Sequence, residues 1–147
     1  NMNQFIRDTL TYASRFDEGT QSPVKTLKLG SGSCRDFAVL MMEAARHLGI
    51  ATRFVSGYLY DPALDKGTDG GVPTVGAGST HAWLHAFLPG AGWVPFDPTN
   101  NLLGGTQLIR VGVARDARQA IPISGTWDGP PNAYRGMTVT VQVAHQS

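Results

Sequence analysis

Apolar positions Phe5, Ile6, Thr9, Leu10, Ala13 and Phe16 recur at three- and four-residue spacing, which predicts an amphipathic helix over about residues 3–16. The polar run Glu18-Gly19-Thr20-Gln21-Ser22-Pro23 ends it. A second stripe, Phe37, Leu40, Met41, Ala44, Ala45 and Leu48, predicts a helix that begins at Cys34 and closes at Gly49, a residue suited to a left-handed cap. Ser33 fits its N-cap and Asp36 is an acid in its first turn, so capping agrees with periodicity. The period then changes. Thr52 to Tyr60 is β-branched and aromatic enough for a strand, and Thr80–Leu88 and Trp93–Asp97 follow as two more, joined through Pro89-Gly90-Ala91-Gly92 as a hairpin. Gln107–Val113 and the alternating Met137–Val143 are further strand candidates, and the Gly/Pro/Asp-rich stretch 61–79 is expected to be a lid or rim loop. Helices first and hairpin-spaced strands afterwards predict an α+β fold with the cysteine-bearing helix packed on an antiparallel sheet.

No period repeats and no linker divides the pattern, so 147 residues are expected to form one domain, 1–147, large enough to bury roughly 68–70% of the unfolded surface. A formal net charge of +1 gives no reason to expect nucleic acid or an anionic membrane as partner. No stretch approaches the roughly 18 apolar residues of a membrane span. A single cysteine can form no internal disulfide and no Cys-rich zinc site, which weakly favours a reducing, cytoplasmic setting. No metal or cofactor is expected: the Asp61, Asp65, Asp69 run lacks the closing Glu of an EF-hand loop.

That leaves Cys34 either as a buried structural thiol or as a nucleophile. A thiol in the first turn of a helix feels the positive end of the macrodipole, yet a free cysteine ionises only near pH 8.5 and needs a base. His47 lies about thirteen residues along the same helix, roughly 20 Å away at 1.5 Å per residue, and His145 is almost at the C-terminus. His81 and His85 share one face of a strand, about 13 Å apart at roughly 3.3 Å per residue, too far to share one metal ion. A hairpin would set Asp97 beside that strand as an orienting acid for His81. A strand histidine is more often structural, however, and an Asp before Pro is more often a turn former.

In combination these segments resemble a known family. Gly32-Ser33-Cys34-Arg35-Asp36-Phe37-Ala38, Leu48 to Tyr58, His81-Ala82-Trp83 and Gly92-Trp93-Val94-Pro95-Phe96-Asp97-Pro98-Thr99-Asn100 are similar to the transglutaminase-like domain of the papain-like cysteine enzymes, over roughly residues 23–124. The resemblance implies Cys34 as nucleophile, His81 as general base and acid, and Asp97 as the residue that orients the imidazole. It implies acyl transfer through a thioester on protein or peptide substrates, either protease-like hydrolysis or transglutaminase-like transamidation. It also implies that this domain often follows an N-terminal β domain. Position 85, where the family commonly has an acidic or small polar residue, departs from the pattern. The alternatives are a catalytically silent peptide-binding module on the same fold, against which the intact Cys, His and Asp speak, and an arylamine transferase, against which the missing Arg-Gly-Gly run speaks.

A triad imposes a register. A plain four-residue loop at 89–92 would pair odd positions with even ones and turn Asp97 away from His81, so an odd-length loop or a β-bulge is expected. Arg35 is expected at the surface or in a salt bridge. Trp83 is expected to shield His81 or pack in the core, and Tyr58 and Trp93 to be core.

Overall fold

The computed structural model describes residues 1–15, 17–61, 75, 79–121, 123–126, 128–130, 132–136 and 138–143. In chain order its elements are α1 (Met2–Thr9), β1 (Thr11–Tyr12), α2 (Pro23–Leu29), β2 (Ser31–Gly32), α3 (Cys34–His47), β3 (Thr52–Leu59), β4 (Thr80–Leu88), β5 (Gly92–Asp97), β6 (Leu102–Leu103) and β7 (Leu108–Ala114), followed by a 3-10 turn at Ala117–Ala120. Five strands form an antiparallel sheet in the order β6-β5-β4-β3-β7, and α3 lies across β4 and β3. The α+β architecture is the expected one.

The core explains the orientation of α3. Its stripe of Phe37, Leu40, Met41 and Met42 buries against Phe54 of β3 and Ala82 and Leu84 of β4. Because strand side chains alternate, His81, Trp83 and His85 take the opposite face of β4. Gly49 ends α3 in the predicted left-handed conformation, φ +80, with its N–H donating to the Arg46 carbonyl at 2.9 Å.

Three expectations need correction. The first helix stops at Thr9: Leu10 is extended, and Thr11 and Tyr12 pair in parallel with Ser31 and Gly32. Thr9, Thr11 and Tyr12 all lose side-chain freedom in a helix, and the pairing with β2 offers their backbone another partner. Helix α2 is absent from the sequence prediction although its signals are local: the Ser22 hydroxyl accepts from the Lys25 N–H, Pro23 opens the first turn and Gly30 closes it at φ +63. Seven residues were too few for a periodicity to show. Residues 138–143 form no strand, since alternation without an adjacent edge has nothing to pair with, and Val139 is 54% exposed. Most of the 61–79 loop, residue 137 and His145 lie outside the described residues.

The hairpin has the register the triad requires. Leu88 pairs with Gly92, His85 with Pro95 and Leu84 with Phe96, leaving a three-residue loop, Pro89–Ala91, closed by an Ala91 N–H to Leu88 carbonyl bond of 3.0 Å. Gly90 and Gly92 both take positive φ, +83 and +74, which lets the tight loop rejoin the ladder. Continued by parity, the ladder sets Asp97 opposite Trp83 and diagonal to His81, on the same face.

Candidate active site

Cys34 is the first residue of α3, 8% exposed, with Ser33 at the N-cap. What fixes this helix end is Asp36, whose carboxylate is wholly buried. It accepts from the Ser33 N–H at 2.8 Å, the Ser33 hydroxyl at 2.9 Å, the Gln21 N–H at 2.7 Å and the Arg15 Nε at 2.8 Å. Burial opposes its ionisation, but Arg15 and these donors hold its pKa below the ordinary carboxylate value. Asp36 is thus more than the first-turn acid expected: it ties two separate segments, at Arg15 and Gln21, to the turn that carries Cys34. Gly32 has to be glycine here, because a Cβ would lie 2.9 Å from that of Asp36.

His81 and Asp97 meet as the register demands. Nε2 of His81 lies 2.9 Å from Oδ2 of Asp97, with both side chains fully buried. A carboxylate only accepts, so Nε2 carries the proton and donates. Asp97 also accepts from the Thr99 N–H at 2.9 Å and from Nδ2 of Asn100 at 2.9 Å. Asp97 thus both caps the turn at Thr99 and bonds the His81 ring, and Asn100, quoted in the motif without a role, is a second anchor for the carboxylate.

Among the described residues Nδ1 of His81 makes no well-aligned hydrogen bond, and the Cys34 thiol is the ring's neighbour. Both line a cleft of about 340 Å³ with Tyr12, Arg15, Ser56 and Thr80. Burial alone would push the imidazole toward neutrality. The Asp97 bond, the Cys34 contact and the negative charges of both outweigh it, and the pKa is pushed up to about 10. Cys34 and His81 sit on different elements and meet because the N-terminus of α3 lies against the start of β4.

Trp83 serves both expected purposes. It is 1% exposed and stacks on His81, with ring centroids 6.0 Å apart and 26° between planes. Gly57, which pairs with His81 across β3 and β4, leaves it room: a Cβ there would come 2.9 Å from the indole and collide with the Ile109 carbonyl.

Other singled-out residues fall differently. Among the described residues Arg35 forms no carboxylate pair. It donates to the Ala117 carbonyl at 2.9 Å and lies 4.9 Å over the Phe54 ring, so it holds the 3-10 turn against the core. Trp93, expected in the core, is 40% exposed, packed edge-on against Phe87, and Tyr58 is half-buried. His47 is exposed at the far end of α3. Sequence reasoning missed Tyr12, a cleft residue half-buried edge-on to Phe37, with centroids 6.5 Å apart. Its pairing with Gly32 is a tertiary event with no local signal. Among the described residues no three His, Cys, Asp or Glu side chains gather as a metal centre, and no helix is long and apolar enough to cross a membrane.

Comparison with known proteins follows the same geometry. The sequence profile of the transglutaminase-like superfamily matches residues 1–98, beginning earlier and stopping sooner than the motif-based span. An uncharacterised protein of Mycobacterium leprae is 39% identical over 129 residues, 86% of this chain and 43% of that protein, so the chain spans less than half of this relative's length. A candidate cysteine protease from Cytophaga hutchinsonii superposes with a TM-score of 0.62 at 27% identity, covering 81% of this chain and 36% of that one. LapG of Legionella pneumophila has the same fold, with a TM-score of 0.54 at 18% identity over 76% of this chain and 60% of its own. With the profile running from α1 through the Cys34 helix and the His81 strand to Pro98, just past Asp97, this chain belongs to the transglutaminase-like superfamily.

Proposed function

We propose that the protein is a cysteine-dependent amide hydrolase or acyltransferase in which Cys34 is the nucleophile, His81 the general base and acid, and Asp97 the orienting residue. The observation that supports it most is the buried 2.9 Å bond from His81 Nε2 to Asp97, which fixes the ring with Nδ1 left for Cys34. A raised imidazole pKa suits a standing imidazolium–thiolate pair, since each charge stabilises the other.

In the cycle this implies, Cys34 Sγ attacks the carbonyl carbon of an amide. The new C–S bond moves the carbonyl π electrons onto oxygen, and the backbone N–H of Cys34 at the helix N-terminus is the natural donor to that oxyanion. Imidazolium His81 protonates the leaving nitrogen as the C–N bond breaks, leaving a thioester. His81, now neutral, takes a proton from water or a primary amine as that group attacks; the thioester C–S bond breaks, and thiolate and imidazolium are restored. Hydrolysis asks less of the site than crosslinking, which must exclude water and admit an amine. The likeness to a candidate cysteine protease points the same way.

Alkylation by iodoacetamide across pH tests the pair. The wild type is expected to react rapidly through neutral and mildly acidic pH, whereas His81→Ala follows the ionisation of a free cysteine, about 8.5. Identical profiles for the two proteins would sink the reading. A glutamine peptide offered with and without a primary amine then separates transamidation from hydrolysis.

A further inference from the structure

Arg53 and Arg110 stand near one another on the sheet face opposite α3, and among the described residues neither pairs with a carboxylate. Arg53 lies directly across the ladder from His85. Its Nε and one terminal nitrogen donate to His85 Nδ1 at 3.2 and 3.1 Å, and its guanidinium carbon sits 4.3 Å over the Trp93 ring. A guanidinium never accepts, so Nδ1 is bare and His85 is the neutral tautomer with its proton on Nε2. Arg110 reaches the same place from β7, where it pairs with Gly57. It lines a cavity of about 420 Å³ with Trp83, His85, Trp93, Pro95 and Leu108.

Two guanidiniums held close repel one another, and their combined field is one reason, after burial, that His85 is pushed down to about 4. Arg53 spends two donors on a neutral acceptor and stacks the rest of its plane on an indole. The remaining walls are apolar or aromatic: Trp83, Trp93, Pro95 and Leu108. Such walls match a carboxylate carried on a hydrocarbon stem better than a bare, fully hydrated phosphate.

We propose that this cavity is a binding site for a glutamate or aspartate side chain of an acidic peptide segment, separate from the Cys34 cleft. The two cavities share no lining residue. His81 and His85 are about 13 Å apart along β4 at roughly 3.3 Å per residue. Arg110 and the Nε2–H of His85, both on the cavity wall, supply the donors, while Arg53, bonded to His85 Nδ1 and stacked on Trp93, adds its positive charge from behind those two rings.

The test is a titration of the whole protein with acetyl-Ala-Glu-Ala-amide, its Gln analogue and inorganic phosphate, read from the His85 ring and Trp93 indole resonances. The Glu peptide is expected to bind at least tenfold tighter than the Gln peptide and to weaken with added salt. In Arg110→Met that preference should collapse to within about twofold; Arg110 is exposed, so this variant is expected to fold, and its backbone spectrum checks that it does. No saturable binding of the Glu peptide, equal affinity for both peptides, an unchanged preference in Arg110→Met, or phosphate binding at least as tight as the Glu peptide would each overturn the proposal.

Discussion

Strand β4 carries two histidines, four positions apart, on one face, both buried and both bonded through a ring nitrogen at about 3 Å, yet they are driven in opposite directions. His81 meets a carboxylate diagonally on β5 and a thiol at a helix end, and its pKa is pushed up to about 10. His85 meets a guanidinium directly opposite on β3 and a second from β7, and is pushed down to about 4. Burial works against the charged form at both sites, so the sign of the difference comes from the neighbours: Asp97 and Cys34 at His81, Arg53 and Arg110 at His85. Two identical side chains on one strand become a standing cation and a standing neutral acceptor because the register hands one an acid and the other a base.

The largest effect is expected from Asp97→Asn, which removes the acid while keeping the shape. On the proposed mechanism kcat/KM should fall by roughly 10⁴, as when the orienting acid is lost in serine triads, and His81 should titrate nearer its ordinary value by NMR. Loss of activity without a fall in the His81 pKa would break the contrast between the two rings. Next comes Gly57→Ala, which drives a methyl against the Ile109 carbonyl and the Trp83 ring that stacks on His81. Overpacking of this kind costs about 1–3 kcal/mol, read as a lowered midpoint in urea, and both histidine signals should shift.

pH gives opposite limbs. The stability that His81 contributes is fully present below its unfolded pKa near 6.5 and is lost as pH rises toward about 10. It is best followed in Cys34→Ala, where no thiol titrates and the window is narrower because the Cys34 contribution is gone. His85 acts in the other direction. Below 6.5 the unfolded chain takes up a proton that the native ring refuses until about 4, so stability falls with acid by at most about 1.4 kcal/mol per pH unit. His85→Gln, which still offers Arg53 an acceptor, should flatten that acid limb in urea denaturation series.

The smallest change is expected from His85→Glu. Position 85 is buried opposite Arg53, so the attraction of the new pair is largely offset by the cost of desolvating the carboxylate, and the urea midpoint should move little. The same substitution should abolish binding of the acidic peptide by filling its place from within.

Much of this was legible because the signals are local. The stripe from Phe37 to Leu48, Ser33 before it and Gly49 after it mark α3 without help from other segments. Thr80–Leu88 shows as a strand from composition, and placing His81 and Asp97 on one face called for an odd-length loop or a β-bulge, of which Pro89–Ala91 is the first. Local signals also misled. Helical spacing continued past Thr9 into residues that β2 takes for a parallel pair, and the alternation over 138–143 forms no strand among the described residues. Asp36 looked like a dipole partner because Arg15 and Gln21 come to it through a turn and a two-residue ladder that no periodicity announces.

The sequence by itself therefore determined the elements and the residue types able to do cysteine chemistry, since capping, period and strand parity are written in neighbouring residues. Only the tertiary structure decided which histidine is charged, which acid is buried as a hub, and that Arg53 and Arg110 come together beside His85 with no carboxylate pair among the described residues. Those are properties of distance and desolvation between segments far apart in the chain, and they exist only once the sheet has fixed its register against α3.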